Sequence, residues 1–315
     1  MKKKTIIIVT IISLVLAFAP LFIKNTSTLT ILCNVLLYIA LATSWNILGG
    51  FAGQVSLGHS AFFGLGALLT RITWIAGVPL IFSLLLGAIV AVLFSLLIGS
   101  PAFKLKGAYF TIGTLALGQV LFATVGNIFS TSSTLPPEAL RNYDLTPRYY
   151  LFLVVALLAF VTTYVLTSSR FGLGLKAVRE EEDAAESLGV NAFKHKLLAL
   201  VVSAFFTGLA GGAFAYFHVG YYPQYPFSPV WSLDPQMMTF IGGTGTIIGP
   251  VIGAIFFVVL KQYMSLNFGE FHLLIFGTLF ILVVLFLPTG LVGLWSKVQK
   301  IKLFKPKAQE QKPNV

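Results

Sequence analysis

Long apolar runs alternate with short polar breaks along almost the whole chain. The apolar runs fall near 6–23, 29–48, 56–76, 79–99, 109–129, 149–167, 197–217, 235–243, 247–264 and 272–289. Most approach the roughly 20 residues that a helix needs to cross about 30 Å of hydrocarbon. They lack the alternating segments of about 10 residues that build an outer-membrane barrel. The pattern predicts an all-α, polytopic transmembrane bundle of about 9–10 segments. The run 235–243 is too short to cross as a regular helix, so a half-helix or a tilted one is expected there.

Two glycine-rich stretches interrupt this pattern. Residues 47–64 read ILGGFAGQVSLGHSAFFG and residues 240–253 read FIGGTGTIIGPVIG. Both carry a Gly-Gly pair, another Gly within three residues, then a further Gly before an apolar helix. Broken or half helices are therefore expected near Gly49–Gly58 and Gly242–Pro250, and the echo suggests a parallel internal repeat. Broken helices near the bilayer midplane are where transporters place contacts with the permeating solute. The candidate pathway residues are Gly49, Gly50, Gly53, Gln54, Ser56, Gly58, His59, Gly242, Gly243 and Gly245. Two readings of Gln54, Ser56 and His59 stand side by side: they line the pathway, or they hydrogen-bond across packed helices.

Composition agrees with the membrane reading. The chain has 315 residues, 57% hydrophobic and 10% charged, against about 25% charged in a soluble domain. One permease domain over 1–295 and a basic, disordered tail over 296–315 are expected. Lys2, Lys3 and Lys4 precede the first run. That run is long for a signal peptide, and Pro20 follows Ala19 directly, so a retained first span is the reading.

The net charge of +11 is a matter of topology. Sixteen of the 21 Lys and Arg fall in the N-terminal tail, in 100–108, in 168–196 and in the C-terminal tail. That is the positive-inside pattern, with both termini cytoplasmic, so no nucleic-acid partner is needed. The tail is expected to touch anionic membrane lipid at most.

Several chemistries are excluded. The single Cys33 permits no disulfide framework. His59, His195, His218 and His272 are scattered without metal-ligand spacing, so no metal and no catalytic set are expected. Gly242-Gly243-Thr244-Gly245 lacks the Lys-Ser/Thr of a phosphate loop and does not follow a strand. Arg71, Lys261 and Glu270 are placed near the outer surface, which leaves the spans essentially without ionised groups. The aromatic segment 218–234 reads as an interfacial belt, or as a docking rim for an external protein.

The remaining anomaly is acidic. Five of the ten Asp and Glu sit together as Glu180, Glu181, Glu182, Asp183 and Glu186. A short helix over Glu180–Leu188, capped by Gly189, is expected in this polar stretch between two spans. Ala184 and Ala185 offer it a small face.

Asp183-Ala184-Ala185, three residues, then Gly189 resembles the EAA-x3-G loop of ABC-importer permeases, with Asp in place of Glu. WNILGGFAGQVSLGHSAFFGLGA (45–67), SRFG…A-RE…A…LG (169–189), LAGG (209–212), IGGTGTIIGPVIGA (241–254) and LPTGLVGL (287–294) narrow the likeness. Together they resemble LivM-type permeases of branched-chain amino acid ABC importers, from about Leu36 to Leu294.

The resemblance implies about ten helices and a LivH-type second permease. It also implies two cytosolic ATPases of the LivG and LivF type and an extracytoplasmic substrate-binding protein. ATP and Mg would sit on the ATPases, with no cofactor and no catalysis on this chain. Asp183, Ala184, Ala185 and Gly189 would contact an ATPase, with Glu181 and Glu186 as flanking charge. The expected function is inward movement of branched-chain or related small amino acids across the inner membrane by alternating access. The alternatives are a permease for urea or short amides, or a self-sufficient channel or carrier. One departure is that 131–144, TSSTLPPEALRNYD, has no glycine where many relatives are Gly-rich.

Overall fold

A computed structural model describes residues 3–23, 25–268 and scattered positions between 271 and 294. The apolar run 272–289 is described only at some positions, and Glu270 and the tail 296–315 lie outside the described residues.

The apolar runs become helices with boundaries set by local chemistry. In order these are α1 (Lys3–Phe22), α2 (Thr26–Asn46), α3 (His59–Ile75), α4 (Leu80–Ala102), α5 (Ala108–Ile128), α6 (Pro137–Arg141) and α7 (Leu145–Thr167). They continue as α8 (Arg170–Glu180), α9 (Glu182–Ser187), α10 (Ala192–Phe217), α11 (Val230–Gly242) and α12 (Gly249–Phe268). Side-chain caps open four of them: Asn25 on α2, Asp144 on α7, Ser169 on α8 and Asn191 on α10. Each accepts from a backbone N–H that the first turn leaves without an intrahelical partner. The Thr146 N–H donated to Asp144 holds that carboxyl below its usual range.

Six described helices are long and apolar enough to cross a membrane. With α3 at 17 residues and α11 at 13, this is a multi-pass all-α membrane bundle. At about 1.5 Å per residue α11 spans about 20 Å, short of the hydrocarbon thickness, as its short apolar run implied.

The segments of α2 and α10 that would cross the membrane are two-thirds buried, while that of α5 is only 22% buried. So α2 and α10 form the centre. One layer packs α10 against α3 and α4, and the other sets α2 against α7, α11 and α12. Close approach in the first layer depends on small residues: a Cβ at Gly66 would strike the backbone of Gly208, and one at Gly211 the backbone of Phe63. In lipid such contacts provide the dispersion energy that hydrophobic burial cannot supply.

The bundle has two distinct ends. One carries α8 and α9. The other carries a two-stranded antiparallel ribbon, β1 (Ser133–Thr134) with β2 (Gly220–Tyr221), pairing Ser133 with Tyr221. The ribbon end sharpens one expectation, which placed Arg71 near the outer surface, and corrects two others. Arg71 is 2% exposed. It donates to the carbonyls of Ser133, Ala215, His218 and Val219 and to Ser133 Oγ, at 2.8–3.1 Å. A planar guanidinium with five donors satisfies several converging carbonyls at once. Second, the helices do hold ionised groups: Asp234 in α11 pairs with Lys261 in α12 at 2.9 Å, and Tyr38 Oη donates to the same carboxylate at 3.0 Å. Third, the aromatic segment is not a simple interfacial belt, because Phe227, Trp231 and Tyr221 are buried. Tyr222 and Tyr225 remain exposed.

Candidate functional site

The first glycine stretch breaks α2 into a five-residue π-helical turn, Ile47–Phe51, followed by irregular chain to Gly58. Irregular backbone at membrane depth must find partners inside the protein. Here side chains supply them. Trp45 Nε1 donates to Ser56 O at 2.8 Å, Thr111 Oγ1 to Val55 O at 2.8 Å, and Leu57 N to Thr114 Oγ1 at 3.1 Å. Ser56 and His59 are buried, Gln54 is half-buried and Gly53 is exposed.

His59 Nε2 lies 2.7 Å from Ser203 Oγ, whose own proton goes to Ser44 O at 2.7 Å. A hydroxyl has one proton to donate, so His59 carries its proton on Nε2 and donates it to Ser203. The chain of bonds ties α3 to α10 and α2. In this conformation His59 acts as a cross-helix strut, the second of the two readings offered by the sequence.

The second break runs from Gly243 to Ile248. Gly243 and Gly245 take φ of +129° and +71°, conformations that suit glycine. Thr246 closes the turn by donating to Gly243 O at 2.7 Å and accepting from Gly249 N at 3.0 Å.

The two breaks meet. Asn46, at the end of α2, donates to Thr246 O at 2.8 Å and accepts from Gly245 N at 2.9 Å. A single amide thus mimics a strand partner for the second loop. Arg179, near the end of α8, donates to Gly50 O at 2.7 Å. A Cβ on Gly53 or Gly245 would press against the same Arg179 side chain. Gly50, Gly53 and Gly245 therefore converge on one arginine of the acidic segment. Neither Asn46 nor Arg179 was singled out from sequence, although each is a polar residue beside a glycine break or in the acidic stretch.

The acidic segment holds the expected short helix and one that was not expected. The expected helix over Glu180–Leu188 is α9, shortened to Glu182–Ser187, and a further helix, α8, precedes it; Glu181 is extended (φ −156°, ψ 111°) and turns the chain between the two. Gly189, at φ +86°, ends α9 as expected. Ala185 is 2% exposed and packs with Val178 and Ala192, so it faces this chain's own α8 and α10 and offers no surface to a partner. The outward face includes Asp183, Ala184, Glu186, Ser187 and, just past the helix, Leu188, the last 85% exposed. Glu182 pairs with Lys196 and anchors α9 to α10.

A short, solvent-facing helix thus follows α8, whose Arg179 reaches both breaks in the membrane helices. The family model described as "Branched-chain amino acid transport system / permease component" matches residues 27–284. The chain belongs to this family. It is similar to the high-affinity branched-chain amino acid permease LivM of Escherichia coli, 27% identical over 92% of this chain and 75% of that protein. It is similar to LivH of Salmonella typhimurium, 27% identical over 47% of this chain and 48% of that protein. Over 21% of each chain it is 34% identical to the guanosine permease NupQ of Bacillus subtilis. No solved structure is significantly similar to it. Within the matched region lie both glycine breaks and the acidic segment, so the residues converging on Arg179 belong to the family's permease unit.

Proposed function

We propose that the chain is the LivM-type permease subunit of an ATP-driven importer, moving branched-chain or related small amino acids into the cytoplasm. The observation that carries this is the linkage of α9, through α8 and Arg179, to both glycine breaks. In this reading the α8–α9 end is cytoplasmic, as are the termini, and the membrane is the cell's inner membrane. A LivH-type permease lies alongside, and an external binding protein delivers the solute to the ribbon end. Two ATPases grip α9, holding ATP and Mg that this chain does not bind.

The contact is revised from the sequence expectation. Leu188 is the apolar anchor, with Ala184 beside it, Asp183, Glu186 and Glu181 as the charged rim, and Ala185 as internal support. Displacement of α9 moves α8 as a body, and Arg179 carries that movement to Gly50 and to the Gly243–Ile248 loop. Packed elements respond to such a push by switching between discrete arrangements. The candidate pathway residues Gly49, Gly50, Gly53, Gln54, Ser56, Gly58, His59, Gly242, Gly243 and Gly245 then lie where rearrangement opens a path.

Leucine uptake in a strain lacking this chain tests the reading. Loss of saturable uptake, restored by the chain, supports it; unchanged uptake removes the substrate assignment. A nucleoside cargo is the second reading, favoured by the local likeness to a guanosine permease, and guanosine uptake in the same strain discriminates.

A further inference from the structure

A cavity of about 280 Å³ opens at the ribbon end, between α2, α10, α11 and α12. It is distinct from the junction at Arg179, which lies at the opposite end of α12. Its walls are of two kinds. Tyr38, Phe214, Trp231 and Val258 form an apolar and aromatic side, with Trp231 stacked on Tyr38 at 5.9 Å and edge-on to Phe214 at 4.9 Å. Asn34, Lys261 and Gln262 form a polar side. Burial pushes His218, also in the wall, down to about 4, so at neutral pH it faces the cavity as a neutral ring. Among the described lining residues Lys261 alone carries charge.

That charge is incompletely used. An ammonium has three donors, and Asp234 takes one of them. The Asp234 side chain is 10% exposed and accepts also from Tyr38, whereas the Lys261 side chain is 36% exposed. Asp234 thus lies behind the cavity wall and fixes the ammonium at its edge, 5.4 Å from the centre of the Phe257 ring, with hydrogen-bonding capacity left for an incoming acceptor. A pair that served only to join α11 to α12 would need no open, aromatic-sided space beside it. Two amides flanking a cation suit a carboxylate, whose oxygens accept several bonds. The opposite wall suits a branched aliphatic side chain, and the volume suits a solute of amino-acid size.

We infer that this cavity is an outward-facing binding station for a small amino acid. The carboxylate lies on Lys261 with Asn34 and Gln262, and the apolar side chain lies against Tyr38, Trp231 and Phe214. The inference rests on the importer reading above and gives it a residue-level substrate class. An uncharged nucleoside could stack on the aromatic wall but would leave the ammonium without an anionic partner.

The test is binding of radiolabelled leucine to the purified full-length chain in detergent, with leucinol and guanosine as competitors. Leucinol keeps the side chain and the amine but lacks the carboxylate. Loss of a charge-assisted bond predicts that leucinol competes at least about tenfold more weakly than leucine. In the double variant Lys261→Gln/Asp234→Asn, which leaves no unpaired charge, leucine affinity falls about tenfold to the leucinol level and leucinol is unaffected. Equal competition by leucine and leucinol in the native chain overturns the inference without any variant, as does absence of leucine binding. Stronger displacement by guanosine overturns it too. If cells still need the chain for leucine uptake while any of these results holds, the importer reading stands and only the station falls. If deletion of the chain leaves leucine uptake unchanged, both fall.

Discussion

The two ends of the bundle handle charge in opposite ways. At the ribbon end Arg71 and Arg148 are buried and bonded to backbone carbonyls, and Asp234 is buried against Lys261. Arg148 also lies over the rings of Tyr143 and Tyr216, at 3.8 and 4.4 Å. At the α8–α9 end Glu180, Glu181, Asp183 and Glu186 are exposed, and among the described residues the acidic cluster makes one ion pair, Glu182 to Lys196. Charge at the first end is an internal fastener. Charge at the second dresses an exposed surface. Substitutions at the two ends should therefore fail in different ways, one by unfolding and the other by uncoupling.

The largest effect is expected at Arg71. Arg71→Met would take the side-chain donor from the carbonyls of Ala215, His218 and Ser133, and leave Val219 O with only the Leu135 N–H. Buried polar groups left unpaired cost about 1–3 kcal/mol each, so the ribbon and the α10 terminus should come apart. Thermal melting in detergent, followed by gel filtration, should show loss of the folded protein. Arg71→Lys should rescue poorly, because a point charge cannot reproduce a fork of five donors. Full stability of either variant would erase the contrast between the ends.

In α9 and its C-cap the same contrast separates two residues three positions apart. Ala185→Glu places a carboxylate among Val178 and Ala192, and burying an unpaired charge is strongly unfavourable, so this variant should melt early. Leu188→Asp changes a residue that is 85% exposed and should leave the melting temperature unchanged. If Leu188 anchors an ATPase, losing it should lower transport and stimulated ATP hydrolysis by at least about tenfold, the scale of an interface hot spot. Normal transport by Leu188→Asp would remove α9 as the gripped element.

Arg179→Gln is expected to fall between these. It removes one charge-assisted bond to Gly50 O at a partly solvated site, so stability should hardly move. Transport should fall severalfold, about the loss of 1 kcal/mol in coupling, while ATP hydrolysis is retained. That split, hydrolysis without transport, distinguishes a broken linkage from a lost contact with the ATPase.

The helical architecture was legible because apolar length alone dictates it in lipid, and α11 announced itself by being short. The two breaks were legible through their glycines. Their meeting was not, since the Asn46–Thr246 contact joins residues 200 positions apart and no local pattern encodes it. The burial of Arg71 was hidden for a related reason: a charge near a helix end looks solvated until the ribbon folded over it is seen. The burial of Ala185 was not legible because small residues suit a partner's groove and a chain's own packing equally well. Leu188 was passed over as one more leucine, and only its position after the turn at Glu181 leaves it outside.

The smallest effect is expected where the sequence looked most unusual. Glu180 and Glu181 dominate the acidic run, yet both are exposed. The backbone of Glu181 shapes the turn, since its extended conformation separates α8 from α9, but that geometry does not require a carboxylate. Exposed charges are screened and contribute little. The double variant Glu180→Gln/Glu181→Gln should therefore keep its melting temperature and change transport by less than about twofold. By contrast Glu181→Pro, which restricts the backbone and removes the N–H donated to Ala177 O at 3.1 Å, should disturb the hinge while removing only one of the two charges. If the charge-only variant instead abolished transport, the acidic cluster itself would be the gripped feature. The division between a fastened end and a dressed end would then have to be redrawn, with recognition resting on carboxylates instead of on Leu188 and Ala184.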